Sequence, residues 1–171
     1  MVYEIVATFI NHATVLIQTE GVNILTDPIY SKRASPFSFI GPSRYSNPGV
    51  AFSDLPPIDV VIISHNHYDH LDIATLKLLA KRDNPRILIG LGNGEILKRH
   101  SIENVSELDW WQDITLPNNV SIKCVPAQHF SSRSISDRDK TLWCGYVIQA
   151  SQENIYFAGD TGLGPFVDQI A

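Results

Sequence analysis

Short apolar runs separated by turn residues predict a chain built mainly from β-strands. Runs rich in Val, Ile, Thr and aromatic residues alternate with Gly, Asn, Asp and Pro positions, a pattern typical of strands and turns. Asn11-His12 and Glu20-Gly21 separate the first three runs, which predicts a β-meander, and residues 150–153 separate the last two, which predicts a hairpin. The predicted strands cover residues 4–9, 13–19, 22–26, 59–63, 86–90, 105–110, 120–125, 141–149 and 154–158.

Helical spacing is confined to two segments. Ile73 and Leu76 begin an apolar stripe that predicts a helix over residues 72–82, and Asp72 is a suitable N-cap for it. A second, shorter helix is predicted over residues 92–99.

Residues 28–57 show little periodicity and contain several prolines and aromatic residues. A long segment of this kind in a compact domain is functional or disordered, and the aromatic residues argue against disorder. We expect an ordered loop over one face of a site, with Phe37 and Phe39 in segment 35–39 lying nearest to an apolar substrate. The alternative is a loop that simply covers the core.

Polar residues capable of binding metal are concentrated in residues 64–72, between a predicted strand and a predicted helix. His65 and His67 are two positions apart, so their side chains point to the same side of an extended segment. Asp69 and His70 follow where the chain turns into the helix, and they are placed to face a second ion. Imidazole suits zinc, iron and similar ions, and a carboxylate adds an oxygen ligand. The alternative is a solvated polar loop whose histidines occur there by chance.

Two further candidate ligands lie at predicted strand ends. His129 follows the strand 120–125 and is the natural third ligand for an ion held by His65 and His67, which leaves an open position for water. Asp160 follows the last strand between two glycines that allow close approach of other groups. From the residue alone, Asp160 is either a ligand or an ordinary turn aspartate.

Three other residues are candidates with open alternatives. His12 is either at the rim of a substrate site or a turn histidine bonded to the backbone. Asp27 either orients a ligand histidine or bonds the local backbone before Pro28. Arg133 is either a contact for a substrate phosphate or part of a solvated loop.

Composition narrows the function classes. The 171 residues suit one domain with a real core, and the net charge of −5 argues against nonspecific nucleic-acid binding. No apolar run approaches the length of a membrane span, and residues 1–4 do not begin a secretory signal. Cys124 and Cys144 are expected to be buried reduced thiols. These features predict a cytoplasmic location without a transmembrane segment.

The spacing His-x-His-x-Asp-His after a strand resembles the signature of the metallo-β-lactamase superfamily. Further segments resemble its branch of N-acylphosphatidylethanolamine-hydrolysing phospholipases D and their bacterial relatives. These segments are Asn11-His12-Ala13-Thr14, Leu25-Thr26-Asp27-Pro28, Arg33-Ala34-Ser35-Pro36, Leu55-Pro56-Pro57-Ile58-Asp59, Leu108-Asp109-Trp110-Trp111, Pro126-Ala127-Gln128-His129 and Phe157-Ala158-Gly159-Asp160-Thr161-Gly162.

The resemblance implies an α/β (in some schemes α+β) fold, an αββα sandwich in which two sheets lie between helices. It also implies a metal-dependent hydrolase that uses a hydroxide activated by one or two ions, zinc first, with iron or manganese as alternatives. The implied metal ligands are His65, His67, Asp69, His70, His129 and Asp160, with Asp160 bridging two ions and Asp69 also catalytic. The implied substrate is a small or lipid-like phosphodiester. Alternatives are a lactonase or other carbonyl-directed hydrolase, and a non-catalytic subunit that binds metal or a partner.

The chain departs from this family in its C-terminal part. The superfamily site takes one more histidine from the second half of the fold, and no histidine follows His129. We therefore expect residues 1–171 to form a single domain truncated after the first half to two-thirds of the fold. Reduced or absent activity of this chain alone is expected, unless a homo-oligomer or a partner completes the fold.

Overall fold

The computed structural model describes residues 4–37, 39–151 and 153–170 and shows two β-sheets with short helices in this part of the chain. The strands are β1 Val6–Asn11, β2 Thr14–Thr19, β3 Val22–Thr26, β4 Val60–Ile63, β5 Arg86–Gly90, β6 Val105–Leu108, β7 Asp113–Thr115, β8 Ser121–Val125, β9 Gly145–Gln149 and β10 Asn154–Phe157. The helices are α1 Ile73–Arg82, α2 Gly94–Lys98 and α3 Val167–Ile170, with single 3-10 turns at Phe52–Asp54 and Pro117–Asn119.

The first sheet joins an antiparallel meander to parallel strands in the order β1-β2-β3-β4-β5-β6. The pairs β1–β2 and β2–β3 are antiparallel, as the two short turns require. The pairs from β3 to β6 are parallel, and α1 crosses over between β4 and β5. The carboxyl ends of the parallel strands therefore lie at one edge of the sheet, which is where ligand-bearing loops collect.

The central strands of the first sheet, β3, β4 and β5, are buried on both faces. In β4, Val61 and Ile63 pack toward α1, whereas Val60 and Ile62 pack toward the second sheet. Burial on both faces explains why residues 60–63 are apolar without alternation. The second sheet is antiparallel, in the order β10-β9-β8-β7, and it packs on the first through a core that includes Ile122, Cys124, Cys144, Tyr146 and Ile148.

Most predicted elements are confirmed within a few residues, and the differences have local causes. The strand predicted over 141–149 begins at Gly145, because the Leu142 N–H donates to the Leu91 carbonyl, directly after β5, and the Cys144 N–H donates to the Ser64 carbonyl, directly after β4. The short strand β7 and helix α3 were not predicted, since neither carries a strong apolar pattern.

Parts of two predicted segments, Ser38 in the loop 35–39 and Gln152 in the turn 150–153, lie outside the described residues. Both cysteines are buried and free, as expected. Within the described ranges, no helix has the length and apolar character to cross a bilayer.

Candidate metal centre

The loop between β4 and α1 brings its polar residues to the carboxyl edge of the first sheet. A turn closes where the His70 and Leu71 N–H groups donate to the His67 carbonyl, at 3.1 and 2.8 Å. Asp72 then caps α1 by accepting from the Ala74 N–H. Strand and helix thus fix both ends of the loop, which limits the movement of the side chains between them.

His65, His67 and His129 form the first cluster. The His65 Nε2 lies 2.8 Å and the His129 Nε2 3.3 Å from the His67 Nδ1. Zinc–nitrogen bonds of about 2.0–2.1 Å in a tetrahedral site place ligand atoms about 3.3 Å apart. The three imidazole nitrogens therefore have the spacing of a metal site. Residues more than 60 positions apart in the chain meet here because β4 and β8 end at the same edge.

The second cluster contains Asp69, His70 and His12. The His12 Nε2 lies 3.3 Å from the His70 Nε2 and 3.3 Å from an Asp69 carboxylate oxygen. Asp160 lies between the clusters, because its Oδ2 is 3.4 Å from the His70 Nε2 and 3.8 Å from the His129 Nε2. One carboxylate within reach of both clusters suits a bridging ligand in a two-metal site.

Asp27 is hydrogen-bonded to residues of both clusters, directly to His70 and through Ser64 to His65. Its Oδ2 accepts from the His70 Nδ1 at 2.7 Å and from the Ser64 hydroxyl at 2.6 Å, and its Oδ1 accepts from the Ser64 N–H at 2.7 Å. The Ser64 oxygen lies 2.9 Å from the His65 Nδ1. This network favours the tautomers of His65 and His70 that carry the proton on Nδ1, which leaves the Nε2 lone pairs free for a metal ion. Of the two hypotheses for Asp27, the structure supports orientation of ligand histidines.

Burial lowers the pKa of the three histidines of the first cluster. It lowers the pKa of His65 to about 2, helped by repulsion from the neighbouring histidines, and it also lowers the pKa of His67 and His129. Burial acts in the same direction on His70, but the hydrogen bond and charge of Asp27 outweigh it and raise the pKa. Neutral imidazoles are the form that binds metal.

Metal-free protein is expected to be less stable at pH 5 than at pH 7.5. An unfolded histidine with a pKa of about 6.5 gains a proton on acidification, whereas folded His65 stays neutral, so acid favours unfolding by about 2 kcal/mol at this residue. His70 acts in the opposite direction, since stability from its raised pKa is lost as pH rises. Urea midpoints at the two pH values should differ less in His65→Gln than in wild type, with His100→Gln as the control. An unchanged difference in His65→Gln would contradict this assignment.

A cavity of about 610 Å³ opens beside the clusters and is lined by His12, His67 and Asp69. Lys32 and Arg44 from the long loop also line it. Their positive charges beside the ligand clusters make this cavity suited to an anionic group. Sequence reasoning missed Lys32 and Arg44, because a loop without periodicity does not indicate which side chains face inward.

The candidate substrate residues are placed differently from one another. His12 reaches the second cluster, Phe37 lines a neighbouring cavity, and Phe39 is 71% exposed. The Arg133 guanidinium lies 4.0 Å from the centre of the Tyr68 ring and donates to the Asn66 and Leu71 carbonyls. Arg133 therefore stabilises the ligand loop through its backbone carbonyls. Contact of His12, Phe37, Phe39 and Arg133 with substrate stays a prediction.

A sequence profile described as "Beta-lactamase superfamily domain" matches residues 22–171. The chain belongs to this superfamily. The match covers most of the chain, including all six predicted metal ligands, and it agrees with the two-sheet fold and with the position of the clusters at the strand ends. The resemblance inferred from the His-x-His-x-Asp-His spacing is therefore confirmed at the level of family and fold.

Two curated relatives share the branch named above. N-acyl-phosphatidylethanolamine-hydrolyzing phospholipase D 1 from Caenorhabditis elegans is 40% identical over 167 residues, covering 92% of this chain and 47% of the relative. A relative from Saccharomyces cerevisiae, named N-acyl-phosphatidylethanolamine-hydrolyzing phospholipase D, mitochondrial, is 34% identical over 146 residues, covering 83% of this chain and 31% of the relative. The chain thus spans less than half the length of these relatives.

Solved structures show the same fold. An isothiocyanate hydrolase from Delia radicum gut bacteria superposes with a TM-score of 0.73 at 23% identity, covering 96% of this chain and 66% of the other. CmlA, a diiron β-hydroxylase from Streptomyces venezuelae, superposes with a TM-score of 0.68 at 26% identity, covering 96% of this chain and 31% of the other. Proteins with this fold therefore include a diiron protein as well as a hydrolase.

Proposed function

We propose that this chain carries the two-metal site of a hydrolase that cleaves phosphodiesters of the N-acylphosphatidylethanolamine type. The observation that carries the proposal is the pair of ligand clusters joined by Asp160 and opening into a cavity with two cationic side chains. Divalent ions at such a site lower the pKa of a bound water and offset the negative charge that develops on the substrate.

The imidazole nitrogens and carboxylate oxygens of the two clusters are ligands that suit zinc, iron and manganese. Three imidazoles in the first cluster suit zinc, and the second cluster adds carboxylate oxygen, which iron and manganese also accept. We propose zinc for the first position, with iron or manganese as alternatives at either one. The six ligands of this proposal are His65, His67, Asp69, His70, His129 and Asp160.

The protein groups have separate roles in the proposed reaction. Asp69 lines the cavity beside the clusters, where its free carboxylate oxygen can orient the attacking water or accept its proton. Lys32 and Arg44 hold the phosphate and counter its charge, with Arg44 positioned by a 3.2 Å hydrogen bond from its Nη1 to the Tyr30 carbonyl. Phe37 and Phe39, exposed on the same loop, are suited to the apolar part of a lipid-like substrate.

The assignment of substrate is tested with metal-loaded protein and a panel of phosphodiesters and lactones. Release of phosphatidic acid from N-acylphosphatidylethanolamine by a version that contains the whole fold, abolished by chelation, is the expected result, whereas residues 1–171 alone are expected to show reduced or absent activity. Hydrolysis of lactones alone would favour the carbonyl-directed alternative. Bound metal with no hydrolysis of either class would favour a subunit that binds metal or a partner.

The cytoplasmic location stays a prediction, and the yeast relative is named as mitochondrial. A partner or a homo-oligomer that completes the fold also stays a prediction.

Arg44→Gln is expected to lower kcat/KM for phosphodiesters by about 10- to 100-fold, because a charged hydrogen bond contributes about 1.5–3 kcal/mol. Activity on a neutral lactone should change little, and Arg44→Lys should recover part of the loss. Arg99→Gln removes a cation at the end of α2, outside the cavity, and serves as the control. An equal loss on charged and neutral substrates in Arg44→Gln would contradict a phosphate-binding role.

A further inference from the structure

We propose that His12 is a ligand of the second metal ion, supplied by the turn between β1 and β2. This inference rests on the proposed two-metal site, and it extends the ligand set to a part of the chain remote from the His-x-His-x-Asp-His segment. The ligands of the second ion would then be Asp69, His70, Asp160 and His12.

Distances among the described atoms carry the proposal. The His12 Nε2 is 3.3 Å from the His70 Nε2 and 3.3 Å from the Asp69 Oδ2, and the last two atoms are 3.8 Å apart. A tetrahedral zinc with bonds of about 2.0–2.1 Å has ligand atoms about 3.3 Å apart. The three atoms thus approximate one face of a coordination tetrahedron, and Asp160 approaches His70 at 3.4 Å.

Hydrogen bonding favours lone pairs, rather than protons, at the point between these atoms. The hydrogen bond between the His70 Nδ1 and the Asp27 carboxylate favours the tautomer in which the His70 Nε2 is an acceptor. The Asp69 carboxylate is also an acceptor, and the His12 Nε2 approaches both. A cation at this point would satisfy both acceptors together with an unprotonated His12 Nε2. The competing interpretation is a proton on the His12 Nε2 that is shared between the other two groups.

The backbone holds His12 in this position. His12 has a φ of 42°, in the left-handed region, directly after an irregularity in the β1–β2 register. The neighbouring Asn11 Nδ2 donates to the Ile29 carbonyl at 3.1 Å, and the Thr14 hydroxyl donates to the Asp27 carbonyl at 2.7 Å. The turn is therefore fixed to the same strand end that carries Asp27, which supports a preorganised ligand.

The experiment compares zinc equivalents and zinc affinity, by competition with a chelator, in wild type and His12→Asn. Asparagine tolerates a positive φ, so the turn is expected to fold, but its side chain is too short to reach the ion. We expect two equivalents in wild type. In His12→Asn the first ion should be retained and the affinity for the second should fall by at least about 100-fold, more than loss of a supporting residue costs. Cobalt substitution should show the same loss as a change in the visible spectrum of the second ion.

His100→Asn is the matched control, because His100 follows α2 and belongs to neither ligand cluster. Unchanged or tighter binding of the second ion in His12→Asn would overturn the ligand assignment, since a hydrogen-bonding His12 competes with metal for His70. Failure of wild type to bind any ion would instead overturn the proposed two-metal site itself. The melting temperatures of metal-free wild type and His12→Asn, compared at one pH, test whether the variant keeps the fold.

Discussion

Replacing His65 with alanine is expected to reduce affinity for the first ion by more than about 100-fold, so that the purified protein loses that ion. His65 belongs to the first cluster with His67 and His129, and its ligand atom also lies within 4.8 Å of those of His70 and Asp160. Loss of a ligand should exceed the 10- to 100-fold effect that is usual for its supporting partners. Elemental mass spectrometry of protein purified without chelators measures this result.

The control separates loss of metal from loss of folding. His65 is buried, so His65→Gln, which keeps more of the side-chain volume, should be measured beside His65→Ala. His100→Ala should retain the wild-type metal content. Retention of the full metal content by folded His65→Ala would contradict the role of His65 as a ligand.

Asp27→Asn is expected to affect stability and metal binding together. An amide cannot replace the carboxylate that accepts from His70 and from both Ser64 donors, so buried donors lose their partner. We expect the free energy of unfolding of metal-free protein to fall by about 3 kcal/mol. Zinc affinity should fall by about 10- to 100-fold, because His65 and His70 lose their fixed orientation.

Urea denaturation and zinc titration measure the two effects, and Asp59→Asn is the comparison. Asp59 is an exposed residue that accepts from the Asn23 N–H at 2.8 Å, so its replacement should cost less than about 1 kcal/mol and leave zinc affinity unchanged. If Asp27→Asn resembled Asp59→Asn in both measurements, Asp27 would not orient the metal ligands.

The strands and helices were predictable where the local pattern of apolar and turn residues determines them. Residues 60–63 are apolar on both faces, and the flanking turns predict a strand that leads into α1. His65, His67, Asp69 and His70 were found from local spacing, because one strand, one loop and one helix place all four. Their binding of metal stays a prediction, although the structure brings their ligand atoms together.

The positions of the remaining site residues depend on contacts between distant strands, which cannot be predicted from the local sequence pattern. Asp160 could be chosen over an ordinary turn aspartate only through the family resemblance, since its approach to His70 and His129 requires the second sheet. His12 had the pattern of a turn histidine, and its approach to His70 depends on pairing of β1, β2 and β3. Arg44 lies in the long loop, where no periodicity marks an inward side.

Anomalous diffraction from crystals grown with zinc tests the central claim most directly. The account predicts two peaks, one among His65, His67 and His129 and the other beside Asp69 and His70, with Asp160 between them. A second peak within bonding distance of the His12 Nε2 would also support the further inference. A folded protein with zinc at neither position, under conditions in which zinc binds elsewhere on its surface, would contradict the two-metal site.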